Sequence, residues 1–262
     1  MKTEIIYFSA TGTTKALVTA ISQGLDGDVH FTNITLPESR EKAIILDCDL
    51  TIIATPVYGE RIPHFLYDFF QGIKGRGNPL VAISVYGNMG FGIRLEQFKE
   101  FAENNNFRLI GAGAFIGQHT YATKTAPVGY GRPDEYDLHQ MRIFGENIQK
   151  KMDAKNFTEI CVPNSVLPKF ITEFPESVTR FLIRQPQVKK SVCNACGACA
   201  RKCPVGAIDL KTLEISEQKC LRCYACVVVC PKSARISEFR LPVFKAVFRF
   251  MGIKKKENQT FL

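Results

Sequence analysis

The chain has 262 residues, 45% of them hydrophobic, enough for ordinary folded cores and longer than one typical domain. No apolar run approaches the roughly 20 residues of a spanning helix, and the start MKTEIIYFSA lacks the basic, apolar and cleavage-site layout of a signal peptide, so a cytoplasmic protein is expected. The net charge of +9 divides into −2 over residues 1–160 (16 Lys+Arg, 18 Asp+Glu) and +11 over residues 161–262 (18 and 7), with no basic run interleaved with base-stacking aromatics, which argues against nucleic acid as a partner.

Strand-like and helix-like patterns alternate over the first 150 or so residues. Strands are predicted at Thr3 to Phe8, Val29 to Phe31, Leu50 to Ala54, Leu80 to Val85 and Leu109 to Phe115. Helices are predicted at Thr13 to Gly24, Pro63 to Gly72, Ile93 to Asn104 and Pro133 to Met152, with a short one around Ala43 to Leu46. This order predicts an α/β fold with a doubly wound, five-stranded parallel sheet over residues 1–153. Residues 154–189 break the alternation with Pro163, Pro168, Pro175 and Pro186. Their apolar side chains, among them Phe170, Ile171, Phe174, Phe181 and Leu182, predict a connector that packs on both neighbouring units. A second, small unit is expected over residues 190–238. In the tail, 239–262, Leu241, Phe244, Phe248 and Met251 share a helical stripe, with Pro242 near its start and Lys245, Arg249 and Lys254 to Lys256 elsewhere. Such a tail could lie on a membrane, bind a partner helix, or pack on its own chain or a dimer mate.

Eight of the ten cysteines crowd into residues 193–230, and without an export signal metal ligation is a better reading than disulfides. The runs CNACGACARKCPVGA from Cys193 and CLRCYACVVVCPKSA from Cys220 align at an offset of 27 residues, an internal duplication. Three cysteines two residues apart can wrap one face of an iron–sulfur cubane, and thiolate is the soft ligand iron sulfide requires. Two structural zinc sites are the alternative on residue types, although zinc usually takes paired C-x2-C knuckles far apart. Each half resembles the bacterial two-cluster ferredoxin motif C-x2-C-x2-C-x3-C-P. That resemblance implies a small α+β dicluster ferredoxin domain whose fourth cysteines are exchanged. One 4Fe-4S cluster would then take Cys193, Cys196, Cys199 and Cys230, the other Cys220, Cys223, Cys226 and Cys203. Tyr224 stands where the first half has Gly197, which would shield the second cluster or alter its access to partners. Cys48 and Cys161 fall outside the pattern and read as buried small hydrophobes.

Three loops follow strands on the edge where open parallel sheets bind ligands. Ser9-Ala10-Thr11-Gly12-Thr13-Thr14 offers hydroxyls and backbone N–H groups at a helix N-terminus, suited to a phosphate, or to ordinary N-capping. Thr55-Pro56-Val57-Tyr58-Gly59 and Ser84-Val85-Tyr86-Gly87-Asn88-Met89-Gly90-Phe91 each supply an aromatic and glycines for a flat ring. The first loop resembles the flavodoxin phosphate motif T/S-x-T-G-x-T, and the others resemble the loops flanking the isoalloxazine in that family. The resemblance implies FMN held by Ser9, Thr11, Gly12, Thr13 and Thr14 at its phosphate. Val57, Tyr58 and Gly59 would line one side of the ring, and Tyr86, Gly87, Asn88 and Phe91 the other. Thr55, Pro56 and Ser84 complete the cofactor-binding set, and His119, in the loop after the fifth strand, would reach the flavin edge. Flavodoxins are usually strongly acidic and often carry an acidic residue where Asn88 sits. The less negative surround here should penalise the anionic reduced flavin less and raise its second reduction potential.

Together the two resemblances are similar to flavodoxin/ferredoxin fusion proteins of anaerobes. They imply an electron carrier linking one-electron and two-electron partners, such as a ferredoxin-type donor and a flavoenzyme acceptor. Two rivals stay open: an FMN-dependent reductase of a quinone or nitro compound, and a redox-sensing regulatory module. The sequence shows no substrate motif, no G-x-G-x-x-G nicotinamide unit and no DNA-binding motif.

Overall fold

Alternation along the first strand sends Ile5 and Tyr7 to one face and Ile6, with Phe8 just beyond it, to the other, so this strand must be covered on both sides. The computed structural model describes residues 1–41, 46–59, 61–90, 94–163 and 178–262. Its main sheet contains β1 (Lys2–Tyr7), β2 (Asp28–Asn33), β3 (Leu50–Pro56), β4 (Pro79–Tyr86) and β5 (Arg108–Ile116). These five are parallel, in the order β2-β1-β3-β4-β5, which is the flavodoxin-like doubly wound order. Each predicted strand is present, the first shifted by one residue and the other four longer by two or three. The region predicted helical around Ala43 to Leu46 lies mostly outside the described residues.

Helices α1 (Thr13–Ser22) and α4 (Glu135–Asp153) cover one face. There Leu17, Ile21, Met141, Phe144 and Ile148 close over Ile5, Ile52 and Ile83. The other face is covered by α2 (Tyr67–Gln71) and α3 (Arg94–Asn104), whose Phe70, Leu95 and Phe98 pack on Ile6, Ile53 and Ala82. Full burial of each large aliphatic side chain here stabilises by about 1.5–3 kcal/mol. Residues predicted to start one helix at Pro63 instead form a 3-10 turn, His64–Leu66, before α2.

The sheet has a sixth strand that corrects the five-stranded expectation. β8 (Gln259–Phe261), at the C-terminus, pairs antiparallel with β5, Thr260 opposite Gly113. The tail therefore returns to the first domain. Asn88 Nδ2 donates to the carbonyls of Gly252 and Lys254, at 3.2 and 3.0 Å, and its Oδ1 accepts from Lys256 N–H at 2.9 Å. Asn258 Oδ1 accepts from Ile116 N–H at 2.9 Å, while its Nδ2 donates to Asp137 and Gln140. A short antiparallel strand on a parallel sheet protects an otherwise open edge.

Within the segment expected as connector, α5 (Val178–Leu182) leads into β6 (Gln187–Val188), which pairs with β7 (Arg235–Ile236) of a small unit that also holds two one-turn helices, α6 (Ala198–Arg201) and α7 (Ala225–Val228). The duplication seen in the sequence is visible as paired geometry: α6 and α7 are each preceded by a left-handed residue, Gly197 at φ 71° and Tyr224 at φ 61°. Of the connector, Ile160 hydrogen-bonds Leu109 and packs on the first domain, and Ile183 bridges to Phe239 at the start of the tail. Pro168, Phe170, Ile171, Phe174 and Pro175 lie outside the described residues. Cys48 is half-buried beside Thr51, but Cys161 is exposed, contrary to its reading as a buried hydrophobe. No helix among the described residues is long and apolar enough to cross a membrane.

Candidate functional site

The strand ends of β1, β3, β4 and β5 open onto one cleft of about 1030 Å³, its solvent mouth included. Ser9, Thr11, Thr13 and Thr14 line its floor. Gly12 is the N-cap of α1 in a left-handed conformation, φ 94°, and brings no side chain to it; of the first-turn N–H groups Lys15 is taken by Ser9, so the N–H groups before it and the helix dipole face an anion. Ser9 is itself positioned, its Oγ accepting from Lys15 N–H at 3.1 Å and its N–H donating to Thr35 Oγ1 at 2.9 Å. Pro56, Val57, Tyr58 and Gly59 form one wall; Tyr86, Gly87 and His119 form another.

Other predicted contacts sit elsewhere. Thr55 and Ser84 are fully buried and do not line the cleft; the Thr55 hydroxyl accepts from Arg94. Their positions on inner strands point them into the layer beneath. The Asn88 amide, expected beside the ring, is engaged by the backbone of the tail. Phe91 lies outside the described residues.

His119 keeps some area toward the cleft, yet protein surrounds it closely: Phe248 meets its ring edge to face at 4.7 Å and Tyr121 lies at 5.3 Å. That burial pushes its imidazole down to about 4, so it is neutral at pH 7. A Cβ on Gly87 would stand 2.8 Å from the Cβ of His119, so only glycine admits this approach.

The cysteines gather around two hollows of about 330 Å³ each, open solvent included. Cys193, Cys196, Cys199 and Cys230 line one, and Cys203, Cys220, Cys223 and Cys226 line the other. Among the described residues no three His, Cys, Asp or Glu side chains converge closely enough for a single ion; the thiols ring a space instead. Burial, reinforced by neighbouring thiols, pushes Cys226 up to about 12 and Cys223 higher. At Cys230 burial opposes the charge, but the N–H groups of Arg235, Lys232 and Ala234 outweigh it and lower the pKa. Ala207 N–H donates to Cys203 Sγ and Ala234 N–H to Cys230 Sγ, both at 3.2 Å, the same contact in each repeat. Buried thiols that resist ionisation alone, with N–H groups aimed at sulfur, fit a cationic iron–sulfur core.

The two sites meet. Cys220, Leu221, Arg222 and Cys223 line the cleft below the strand ends, as does Arg180. Tyr121 O–H donates to the Arg222 carbonyl at 3.0 Å, and its ring meets Tyr224 at 4.9 Å, so the loop after β5 contacts the second cysteine loop directly. Arg40 adds a second tie, donating to the Pro204 carbonyl at 2.7 Å. Sequence reasoning named His119 in the loop GQHTYATK but passed over Tyr121, Gln118 and Thr120, which line the same cleft. Arg222 was also missed; the repeat alignment, which sets it against Ala195, held the signal.

Fold and site define a class: a flavodoxin-like α/β domain joined to a 4Fe-4S dicluster ferredoxin domain. Residues 192–234 match the family model described as "4Fe-4S dicluster domain". The chain is 24% identical over 183 residues to the putative diflavin flavoprotein A 2 of Thermosynechococcus vestitus, covering 68% of this chain and 30% of that protein. It is 43% identical over 44 residues to one component of an ion-translocating oxidoreductase complex of Methanosarcina acetivorans, covering 16% and 17%. The chain thus spans less than a third of the length of these curated relatives. Among solved structures, oxidised flavodoxin 1 of Bacillus cereus aligns at TM-score 0.45 and 16% identity, covering 57% of this chain and 98% of that one.

Proposed function

We propose that this protein carries electrons between two 4Fe-4S clusters and one FMN, joining one-electron and two-electron redox partners in low-potential metabolism of the cytoplasm. The observation that carries this reading is the shared wall. Cys220 and Cys223 line the same cleft as the phosphate-type loop at Ser9 to Thr14 and the ring-type loops at Tyr58 and Tyr86. In the proposed division, residues 1–153 form the FMN domain, 154–189 the connector, and 190–238 the cluster domain. The remaining tail, 239–262, ties the two together.

Bound FMN would supply two-electron chemistry to a chain whose clusters exchange electrons singly. The residues do the rest. Ser9, Thr11, Thr13 and Thr14, with the α1 N-terminus, would hold the phosphate; Val57, Tyr58, Tyr86 and Gly87 would exclude water from the ring. Neutral His119 would neither add charge nor deliver a proton at pH 7. Cys193, Cys196, Cys199 and Cys230 would hold an outer cluster, and Cys203, Cys220, Cys223 and Cys226 one against the cleft.

Exposed Lys189, Lys190, Arg201, Lys202 and Lys232 surround the outer set and suit an acidic one-electron partner. Val243, Val247, Phe250 and Met251, exposed on helix α8 (Pro242–Met251), form the surface that an anionic membrane or a second copy would meet. Liposome co-sedimentation and sedimentation velocity separate those two partners.

The test is iron, acid-labile sulfide and released flavin in protein purified without oxygen. The expected result is about eight irons, about eight sulfides and one FMN per chain. Zinc in place of iron, or clusters without FMN even after reconstitution, would overturn the reading.

A further inference from the structure

The cleft contains a buried cation that the flavin-type loops do not supply. Arg222 is 1% exposed and lines the cleft. Its Nη2 is paired with Glu217, while Nε and Nη1 are buried with no hydrogen-bond partner. A buried guanidinium normally satisfies its donors, because leaving charged N–H groups dry and unpaired is costly. Something that accepts hydrogen bonds is therefore missing beside it.

Two acceptors adjoin Arg222, since it also lines the cavity of Cys203, Cys220, Cys223 and Cys226. The internal repeat decides between them. At the equivalent place in the first cysteine loop stands Ala195, with nearly the same left-handed backbone, φ 54° against 59° for Arg222. Gathering four thiols in this loop thus requires no guanidinium, and alanine suits the strained backbone no worse. What the second loop has and the first lacks is the adjoining cleft. The Arg222 backbone is also fixed from the cleft side, by the Tyr121 hydroxyl at 3.0 Å.

We propose that Arg222 is a flavin-binding residue contributed by the cluster domain, its free guanidinium donors directed to the polar, electron-rich edge of the FMN ring. This inference rests on the FMN reading above. A fixed cation there favours the ring more as it gains electrons, which strengthens binding of reduced over oxidised flavin and raises the flavin potential. Glu217, paired to the same guanidinium and half-exposed, offsets part of that charge.

The experiment compares Arg222→Gln, Arg222→Lys and Glu217→Gln in the full chain purified without oxygen. Its readouts are FMN dissociation followed by fluorescence, flavin midpoint potential by spectroelectrochemistry, and cluster content by iron analysis. Arg222→Gln should weaken FMN binding about tenfold or more, the loss of a charge-assisted hydrogen bond, and lower the flavin potential with iron content unchanged. Arg222→Lys should restore part of the potential and less of the affinity, because the point charge remains but the fork does not. Glu217→Gln should move the flavin potential upward. If Arg222→Gln leaves both flavin affinity and potential unchanged, the proposal is overturned, and a shifted cluster potential would assign the guanidinium to the cluster. Should Arg222→Gln lose its clusters, Glu217→Gln decides alone, and an unmoved or lowered flavin potential overturns the proposal. Wild-type protein that takes up no flavin would instead defeat the FMN reading.

Discussion

Gly87 and His119 occupy one steric decision at the cleft wall. Alanine at position 87 would place a methyl 2.8 Å from both Cβ and Cγ of His119, atoms that cannot swing aside while Phe248 backs the ring. Gly87→Ala is expected to cost about 1–3 kcal/mol in unfolding free energy by chemical denaturation, with weaker flavin uptake. His119 also sets a pH response. Its folded pKa, about 4, lies below its unfolded value near 6.5, so the unfolded chain binds the proton first as pH falls. Stability from this group is present above about pH 6.5 and is lost progressively toward pH 4. Between pH 7 and pH 5 the wild type should lose about 2 kcal/mol more than His119→Gln, read as a larger fall in Tm. Equal falls in the two proteins would mean that the imidazole is not buried as described. Neither feature was legible in advance: a lone loop histidine looks solvated until Phe248, 129 positions later, is seen on it.

The C-terminal segment works as an element through hydrogen bonds added to the apolar contacts of Phe248 and Phe261. Asn88 and Asn258 together satisfy backbone groups on Gly252, Lys254, Lys256 and Ile116, and β8 continues the sheet beyond β5. Asn258→Ala removes the acceptor for Ile116 N–H and two donations, to Asp137 at 2.8 Å and Gln140 at 2.6 Å. The expected cost is about 2 kcal/mol. Hydrogen exchange should accelerate in β5 and β8 while β3, at the sheet centre, keeps its protection. Uniform acceleration across the sheet would contradict a role confined to the edge. The five parallel strands were legible from their apolar runs, whereas β8 was not. Gln259–Phe261 is three residues long, too short to show a period.

At the scale of the whole molecule, charge and docking act together. The cluster half carries the basic excess, and the exposed lysines and arginines around Cys193, Cys196 and Cys199 face outward. Reduction by an acidic one-electron carrier should slow about tenfold between roughly 20 and 500 mM salt, as steering is screened. A rate indifferent to salt would place electron entry elsewhere. The two halves touch through Arg40 and Pro204 and through Tyr121, Arg222 and Tyr224, contacts that bracket the cleft. Cysteine spacing indicated a duplicated thiolate site, with its exchanged fourth ligands implied by the ferredoxin resemblance, and loop composition indicated a phosphate site or an N-cap, because spacing and loop chemistry are local properties. The sequence by itself determined the strands, the repeat and the residue types at both sites. Only the tertiary structure decided that the tail returns to the sheet, that Asn88 serves the tail, and that Arg222 reaches the cleft. Each of those depends on segments distant in the chain meeting in space, as Asn88 and Lys256 do across 168 positions, and no local pattern encodes such a meeting.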